Sequence, residues 1–285
     1  MRQYLRKVIA TFTGKGGSHV VTDLKISFEV SKKIAGEPNT ATIKVWNLAG
    51  GNRAKLGKEF DRVRLEAGYQ GTLGARGNVG VIFDGQIREV VHDREDTDIV
   101  STIECGDGDK AKRQGVIAKT FPAKTKPKAM VEEILKKMPD VAKGMWQGLD
   151  DLPEYKRPVT MCGPCTRELD KIGRTHGLYW SVQDGALEII PKDGNLDGEV
   201  LISKATGMIG VPSITDNGIK VKTLLNPQLR CNRLIRVESQ ILDMNSKGQK
   251  YRISGLDFSG DNRDGEFIAA VAGEEVKVKK AAKGK

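Results

Sequence analysis

Two stretches of the chain alternate apolar and polar residues in the same order, and a helical pattern lies between them. In the first stretch, Leu24, Ile26, Phe28 and Val30 alternate with polar residues. This period of two is typical of a β-strand with one buried face. The alternation continues through residues 41–45, 62–69, 81–91 and 99–105. Turn-forming Gly, Asp and Asn separate the segments, so we predict an antiparallel unit of about five or six strands.

The second stretch repeats this order from Ile219 onward. Its apolar segments are 219–225, 234–238, 251–256 and 267–272. Residues 45–48 correspond to 221–224, residues 63–65 to 235–237, residues 83–87 to 251–256, and the acidic turn 92–96 to the turn 259–264. Coincidence is the alternative, because any two antiparallel meanders share some of these features. The matched order and turn chemistry favour a duplicated β-unit.

The segment between the two stretches begins with a helical pattern. After Pro127, apolar residues recur at helical spacing up to Met138, which predicts a helix that Pro139 ends. A loop rich in Gly, Asp and Pro is predicted over residues 140–158.

A second helix and a hairpin complete this middle segment. Pro164 opens the helix, and Gly177 ends it as a left-handed cap. The turn sequence Gln183-Asp184-Gly185 lies between two apolar segments and predicts a β-hairpin. We therefore predict a mostly β (α+β) chain of three domains followed by a tail. The predicted ranges are 1–110 for the first β-unit, 111–200 for the small α+β unit, 201–275 for the second β-unit and 276–285 for a basic tail.

Length and composition fit this division. A chain of 285 residues normally forms two or three domains. No apolar run is long enough to span a bilayer, and the N-terminus lacks the apolar core of a signal peptide. Four cysteines are too few for a disulfide framework in a chain of this length. We expect a protein made in a cytoplasm, with no membrane insertion.

The net charge of +10 raises the alternative of a nucleic-acid binder. Five lysines lie in the tail, namely Lys277, Lys279, Lys280, Lys283 and Lys285. Six more surround the first predicted helix, namely Lys119, Lys124, Lys126, Lys128, Lys136 and Lys137. A solvated face explains such a set, and no recognised DNA-reading motif accompanies the charge. Specific reading of nucleic acid is therefore the weaker interpretation.

The sharpest short motif is Cys162-Gly163-Pro164-Cys165 at a predicted helix start. This placement lowers a thiol pKa and suits a dithiol that cycles to a disulfide. However, Met161 precedes the motif where thioredoxin-like domains have Trp, and no βαβ pattern surrounds it. An incidental pair of cysteines is the preferred reading, and a thiol redox protein stays an alternative.

Other candidate sites are weaker still. Cys162 and Cys165 provide two zinc ligands, but His176 is about 16 Å along the helix from them. Gly14-Lys15-Gly16-Gly17 lacks the spacing of a phosphate-binding loop and predicts a turn. The acidic residues 93–98 lack the ligand spacing of a Ca²⁺ loop, and a solvated hairpin turn is the simpler reading. The histidines His19, His92 and His176 are far apart in the sequence. We predict no enzyme and no catalytic, cofactor-binding or metal-binding residues.

The order of motifs along nearly the whole chain resembles the baseplate hub proteins of tailed bacteriophages. Leu224-Leu225-Asn226-Pro227 and the segments 234–237, 248–253 and 260–261 resemble the C-terminal part of those proteins. Residues 169–172, 176–180 and 184–187 resemble their middle domain. Residues 41–48 and 83–85 resemble their N-terminal domain. Each motif records a strand or turn type, so the specificity lies in the order.

The resemblance implies two antiparallel β-barrels like those of tail-tube proteins, flanking the small α+β domain. It implies a homotrimer whose pseudo-sixfold ring joins a hexameric tail tube to a trimeric central spike and lets DNA pass. The tail tube protein, the spike protein and the tape measure protein are the implied partners, in a virion tail assembled in a bacterial cytoplasm. A tube or distal tail protein with the same barrel is the alternative within this class. Because a basic channel would hinder DNA sliding, we expect most Lys and Arg to face outward or to lie in the tail.

Overall fold

The computed structural model describes residues 5–34, 38–71, 77–216, 218–239 and 249–275. The first part contains β1 Arg6–Gly14, β2 Gly17–Val21, β3 Ile26–Lys33, β4 Thr40–Trp46, α1 Gly50–Arg53, β5 Phe60–Tyr69, β6 Gly80–Glu95 and β7 Asp98–Gly106. The middle part contains α2 Asp109–Gln114, β8 Val116–Phe121, α3 Pro127–Lys136, β9 Ala142–Trp146, β10 Val159–Pro164, α4 Cys165–His176, β11 Leu178–Gln183 and β12 Ala186–Pro191. The last part contains β13 Leu196–Ile202, a 3-10 turn Lys204–Thr206, β14 Met208–Thr215, β15 Gly218–Leu224, β16 Arg233–Val237, β17 Gln249–Asp261 and β18 Phe267–Glu275.

One large sheet holds the first and last parts together. Its main path runs β14-β15-β18-β17-β3-β4-β7-β6-β5-β1-β2, and β16 and β13 branch from β17. The mostly β prediction is confirmed. The two barrels are not seen as closed structures, because the described strand pairs leave the sheet open at β2 and β14. Instead, the second half of β17 leaves β16 and pairs with β3, which joins the two units edge to edge.

The two units have the same strand order. The first runs β3-β4-β7-β6-β5-β1 and the last runs β14-β15-β18-β17-β16-β13. They differ at one end, where β1 is antiparallel to β5 but β13 is parallel to β16. Each unit also has a one-residue β-bulge at the same place, Arg88 in β6 and Ser254 in β17. A shared order and a shared bulge support the duplication that the sequence pattern predicts.

The bulges fix which residues are equivalent. Counting from them makes 63–65 equivalent to 235–237, as the sequence pattern predicts. Two other correspondences are wrong by two residues. Val45 is equivalent to Thr223, which corrects the match of 45–48 with 221–224. Gly85 is equivalent to Tyr251, which corrects the match of 83–87 with 251–256. A slip of two keeps every side chain on its own face of a strand, so the alternation alone could not detect it.

The middle part matches the prediction in its helices and its hairpin. Both helices form close to their predicted positions, and α4 ends at Gly177 with φ of 65°. The turn of the β11–β12 hairpin is Asp184-Gly185, where both residues have positive φ. Three strands were not predicted. β8 pairs with β10, and β9 lies inside the predicted loop 140–158 beside β12.

Two apolar cores lie in the described residues. One is shared by the two β-units and runs from Val8 in β1 to Val271 in β18. The other belongs to the middle part and packs α3, α4 and the β11–β12 hairpin around Met130, Leu169 and Leu187. The predicted domain boundaries stay predictions, and the basic tail 276–285 lies outside the described residues.

Candidate assembly interface

The two β-units meet at a seam, which we define as the seven residue pairs between β17 and β3. The pairs run from Gly255 opposite Lys33 to Asp261 opposite Ser27. Phe258 lies opposite Val30, and both side chains are buried. Backbone pairing and a buried apolar face therefore make the seam a continuous part of the sheet.

Side chains next to the seam strengthen it. Asn262 closes its end, accepting a hydrogen bond from the Ile26 amide (3.0 Å) and donating one to the Leu24 carbonyl (2.8 Å). The Phe267 ring makes edge contacts with the Phe28 and Tyr69 rings, at centroid distances of 5.9 and 5.3 Å. These rings come from both units, so the two units share one rigid core at this place.

The position equivalent to the seam is open at two other places. Beyond the bulge, residues 88–95 of β6 pair only with β7, since the pairing of β6 with β5 ends at Gln86, opposite Arg62. β14 pairs only with β15. Large apolar side chains are exposed on both edges: Val91 43%, Ile209 40%, Val211 51% and Ile214 64%. We call residues 88–95 the β6 edge and residues 208–215 the β14 edge. Unpaired strand edges with apolar side chains are sites where another chain can add to a sheet.

One face of the sheet between the β6 edge and β15 is polar. Alternation along the paired strands places these carboxylates on it: Glu29, Glu89, Asp93, Glu95, Glu104, Asp257, Asp261 and Glu274. The same alternation places these cations on it: Lys25, Lys33, Lys44, Lys220, Lys222 and Arg252, which pairs with Glu274 at 2.9 Å. Carboxylates thus outnumber cations on this face of the described residues. A chain of net charge +10 has an acidic face here.

The middle part docks onto the first unit through buried polar groups. The Asn39 side-chain amide donates to the Val182 carbonyl (2.9 Å) and to the Gln183 side chain (3.1 Å). The buried Asp107 carboxylate accepts a hydrogen bond from the Gly185 amide at 2.9 Å. Burial, and then the charge of Asp184, raises the pKa of Asp107 to about 6.

An ion pair continues this junction toward the seam. Lys32 is buried and lies 2.6 Å from the Asp184 carboxylate. Gln183 donates to the Lys33 carbonyl at 2.9 Å. Lys32 and Lys33 belong to β3, so the β11–β12 hairpin of the middle part contacts the strand that forms the seam.

The cysteine motif spans the end of β10 and the start of α4. Cys162 is exposed on β10, opposite Ala118 of β8. Cys165 begins α4 and is buried, and burial raises the pKa of its thiol. A reactive thiol at a helix start needs a lowered pKa. The buried Cys165 fits a packing role, with its sulfur 3.8 Å from the Ile134 carbonyl.

The remaining candidate residues stay apart. Each histidine has a separate partner: His19 contacts Asn52, His92 contacts Ser101 and His176 contacts Tyr155. Gly14-Lys15-Gly16-Gly17 forms the turn between β1 and β2, as predicted. The acidic residues 93–98 lie at the tip of the β6–β7 hairpin, where Glu95 pairs with Asp98 and residues 96–97 form the turn. Within the described ranges, no cluster of three or more His, Cys, Asp or Glu residues has a metal-binding arrangement. No helix in those ranges is long and apolar enough to cross a membrane.

Sequence reasoning did not find the two open edges. β14 was not predicted as a strand, because Gly210 and Pro212 interrupt its alternation. The signal that could have found the β6 edge is length. Residues 80–95 form one strand, while β5, its neighbour on one side, is too short to cover it.

Comparisons with known proteins agree on the kind of protein. A family model described as "Baseplate hub gp41" matches residues 7–273. No curated protein sequence matches the chain. Among solved structures, the 43 kDa tail protein of prophage MuSo2 from Shewanella oneidensis has a TM-score of 0.65 at 11% identity, covering 94% of this chain and 96% of that one.

Two further solved structures are similar to the chain over most of its length. The E. coli c3393 protein is described as a type VI secretion component similar to T4 tail proteins gp27 and gp5. It has a TM-score of 0.61 at 13% identity, covering 88% of this chain and 73% of that one. A chain of the Francisella PdpA-VgrG complex has a TM-score of 0.54 at 7% identity, covering 98% of this chain and 59% of that one. At these identities the likeness establishes the fold.

Proposed function

The chain belongs to the baseplate hub gp41 family, and on that premise we propose that three copies form a pseudo-sixfold ring that joins a hexameric tail tube to a trimeric central spike. The observation that carries this proposal is the repeated strand order of the two β-units. Two similar units in one chain convert threefold symmetry into near-sixfold symmetry. The seam then serves as one of two alternating contacts around the ring.

The acidic face of the sheet is the surface we assign to the channel. DNA carries a dense negative charge, and a cationic wall would hold it by releasing counterions. The excess of carboxylates over lysines on this face would let DNA slide past. The expectation that most Lys and Arg face outward becomes part of this proposal.

The partners in the proposal are the tail tube protein on one side of the ring and the spike protein on the other, with the tape measure protein reaching the same channel. A chain with this fold occurs in the Francisella PdpA-VgrG complex, and that occurrence supports a second protein as a partner of the ring. The virion tail is the proposed location, with assembly in the bacterial cytoplasm. We propose no catalytic role for the chain.

The mass of the purified full chain in solution tests the ring. Light scattering over a range of concentrations should give three times the chain mass of 31.2 kDa. A hexamer would favour a tube or distal tail protein, which needs six copies of one barrel. A chain that stays monomeric even with its tube and spike proteins present would overturn the proposal.

A further inference from the structure

We infer that the β6 edge pairs with the β14 edge of a second copy of this chain, antiparallel and in the register of the seam. The inference rests on the proposed ring and specifies its contact. A single chain is enough for this inference, because the seam shows how the two equivalent strands pair when both are present. The β6 edge and the β14 edge each lack that pairing strand.

The first step is that β6 and β17 are the same strand of the repeated unit. Their bulges at Arg88 and Ser254 are equivalent, and each strand pairs along its length with the next strand of its unit. Counting on from the bulges makes His92 equivalent to Phe258 and Arg94 equivalent to Gly260. In β17 the residues after the bulge pair with β3. In β6 they are the open edge.

The second step is that β3 and β14 are the same strand. Ile26 lies opposite Val45 in the first unit, and Met208 lies opposite the equivalent Thr223 in the last unit. At the other end, Val30 lies opposite Ala41 and Ile214 lies opposite the equivalent Ile219. β3 is covered by β17 on its second side, whereas β14 has no strand there among the described residues.

The seam register can therefore be transferred to the open edges. Phe258 opposite Val30 becomes His92 opposite Ile214 of the second copy. Ser259 opposite Glu29 becomes Asp93 opposite Ser213, and Asp257 opposite Ser31 becomes Val91 opposite Thr215. The exposed Ile214 then occupies the buried position of Val30.

Side-chain size changes in a complementary way between the seam and the open edges. In the seam, Gly260 faces Phe28, and a Cβ on Gly260 would lie 2.8 Å from the Phe28 ring and 2.6 Å from the Phe267 ring. On the open edges the large residue is Arg94. Its opposite is the irregular segment Gly210-Val211-Pro212, which replaces Phe28 in β14. The large side chain thus lies on the β3 side of the seam but on the β6 side of the inferred contact. This exchange would allow the two strands to keep the same separation.

The two edges are different surfaces, so the contact is head to tail. Copies joined in this way form a ring only if the rotation closes. The seam relates the last unit of a chain to the first. Pairing the β6 edge with the next β14 edge repeats that relation, and alternation of the two contacts continues around the ring.

Disulfide trapping tests the register. We would place Asp93→Cys and Ser213→Cys together in a full-length Cys162→Ser background, which removes the exposed native cysteine. Directly opposed residues have Cβ atoms about 4.5–5.5 Å apart, close enough for a disulfide after small adjustments. Oxidation should give covalent oligomers that end at the trimer. Chains carrying Asp93→Cys alone and Ser213→Cys alone should link to each other in a mixture, and neither should link to itself.

A register control uses Asp93→Cys with Thr215→Cys. These residues lie diagonally in the inferred pairing, roughly 7–8 Å apart, and should link much less. Equal linking of both pairs, or self-linking of either single variant, would overturn the register. An oligomer of three chains that is not linked at positions 93 and 213 would overturn the inference but leave the proposed ring standing. Monomers that never link would count against both.

A second variant needs no disulfide. Ile214→Glu puts a charge at a position that the seam buries, and should lower trimer formation at least tenfold. Val116→Glu is the matched control, because Val116 is similarly exposed (57% against 64%) but lies on β8 away from both edges. Both variants should keep the thermal unfolding midpoint of the isolated chain. Equal loss of the trimer in both, or in neither, would contradict the inferred contact.

Discussion

The seam and the two open edges are equivalent positions of a repeated fold, yet they have different surfaces. At the seam, Phe258 and Val30 are buried within one chain. At the edges, the equivalent His92 and Ile214 are exposed. In the proposed ring, the same backbone geometry serves one contact that folding completes and one that is left for a partner. If the edges are the contact, substitutions at the seam should affect folding and substitutions at the edges should affect assembly.

The largest effect on the free energy of unfolding is expected for a substitution in the buried seam. Phe258→Ala removes a large side chain from the seam and should lower the free energy of unfolding by about 3–5 kcal/mol. His92→Ala, at the equivalent open position, should change it by less than about 1 kcal/mol, since His92 is exposed. Urea unfolding at a concentration that keeps the chain monomeric measures both. Similar losses for the two variants would mean that the edge is already covered.

The next effect depends on pH and on the docking of the middle part. Asp107 is equivalent to Glu275 at the ends of β7 and β18, but only Asp107 is buried. Burial raises its pKa to about 6, so the folded chain holds this proton more tightly than the unfolded chain. Its contribution should make the protein more stable as the pH falls from 7 to 4, by up to about 3 kcal/mol.

Asp107→Asn should remove that pH dependence, and Glu275→Gln should leave it unchanged. Urea unfolding at pH 4, 5, 6 and 7 measures the slope in each variant. A slope that persists in Asp107→Asn would show that another group carries it.

A smaller effect is expected from filling the small position of the seam. Gly260→Ala brings a Cβ too close to the Phe28 and Phe267 rings and should cost about 1–3 kcal/mol of stability. Arg94→Ala, at the equivalent edge position, should leave the isolated chain within about 0.5 kcal/mol and weaken only the trimer. Thermal unfolding and light scattering of the two variants separate these outcomes. Arg94→Ala that melts like Gly260→Ala would contradict the equivalence.

The smallest effect is expected for the cysteine motif. Cys162→Ser removes an exposed side chain and should change neither stability, within about 0.5 kcal/mol, nor trimer formation. A disulfide reduction assay on both proteins is the accompanying measurement. Thiol-dependent reduction that is lost in Cys162→Ser would revive the redox alternative.

Much of the fold follows from period-two alternation. Strands β3, β4, β15 and β18 alternate regularly, because one face packs on the shared core and the other is more exposed. Both helices of the middle part were marked by Pro and Gly at their ends. β1 and β2 were missed as strands, although the turn between them was predicted.

The sequence predicted that exposed strand edges would form the candidate interface, but it did not show which strands they are. Its residues depend on which strand pairs with which, and the alternation of β17 does not reveal that its second half leaves β16 for β3. β14 escaped because Gly210 and Pro212 break its pattern, and those residues are the local difference between β14 and β3. In the inferred contact, the same irregularity lies opposite Arg94 of the second copy.

Electron cryo-microscopy of the assembled oligomer is the most direct test of the proposed hub. We predict a ring of three chains with six similar β-units, in which seams alternate with contacts between the β6 and β14 edges. We also predict that the face carrying Glu29, Glu104 and Asp257 lines the channel. A ring of six chains, a twofold dimer, or a channel lined mainly by Lys and Arg would contradict the proposal.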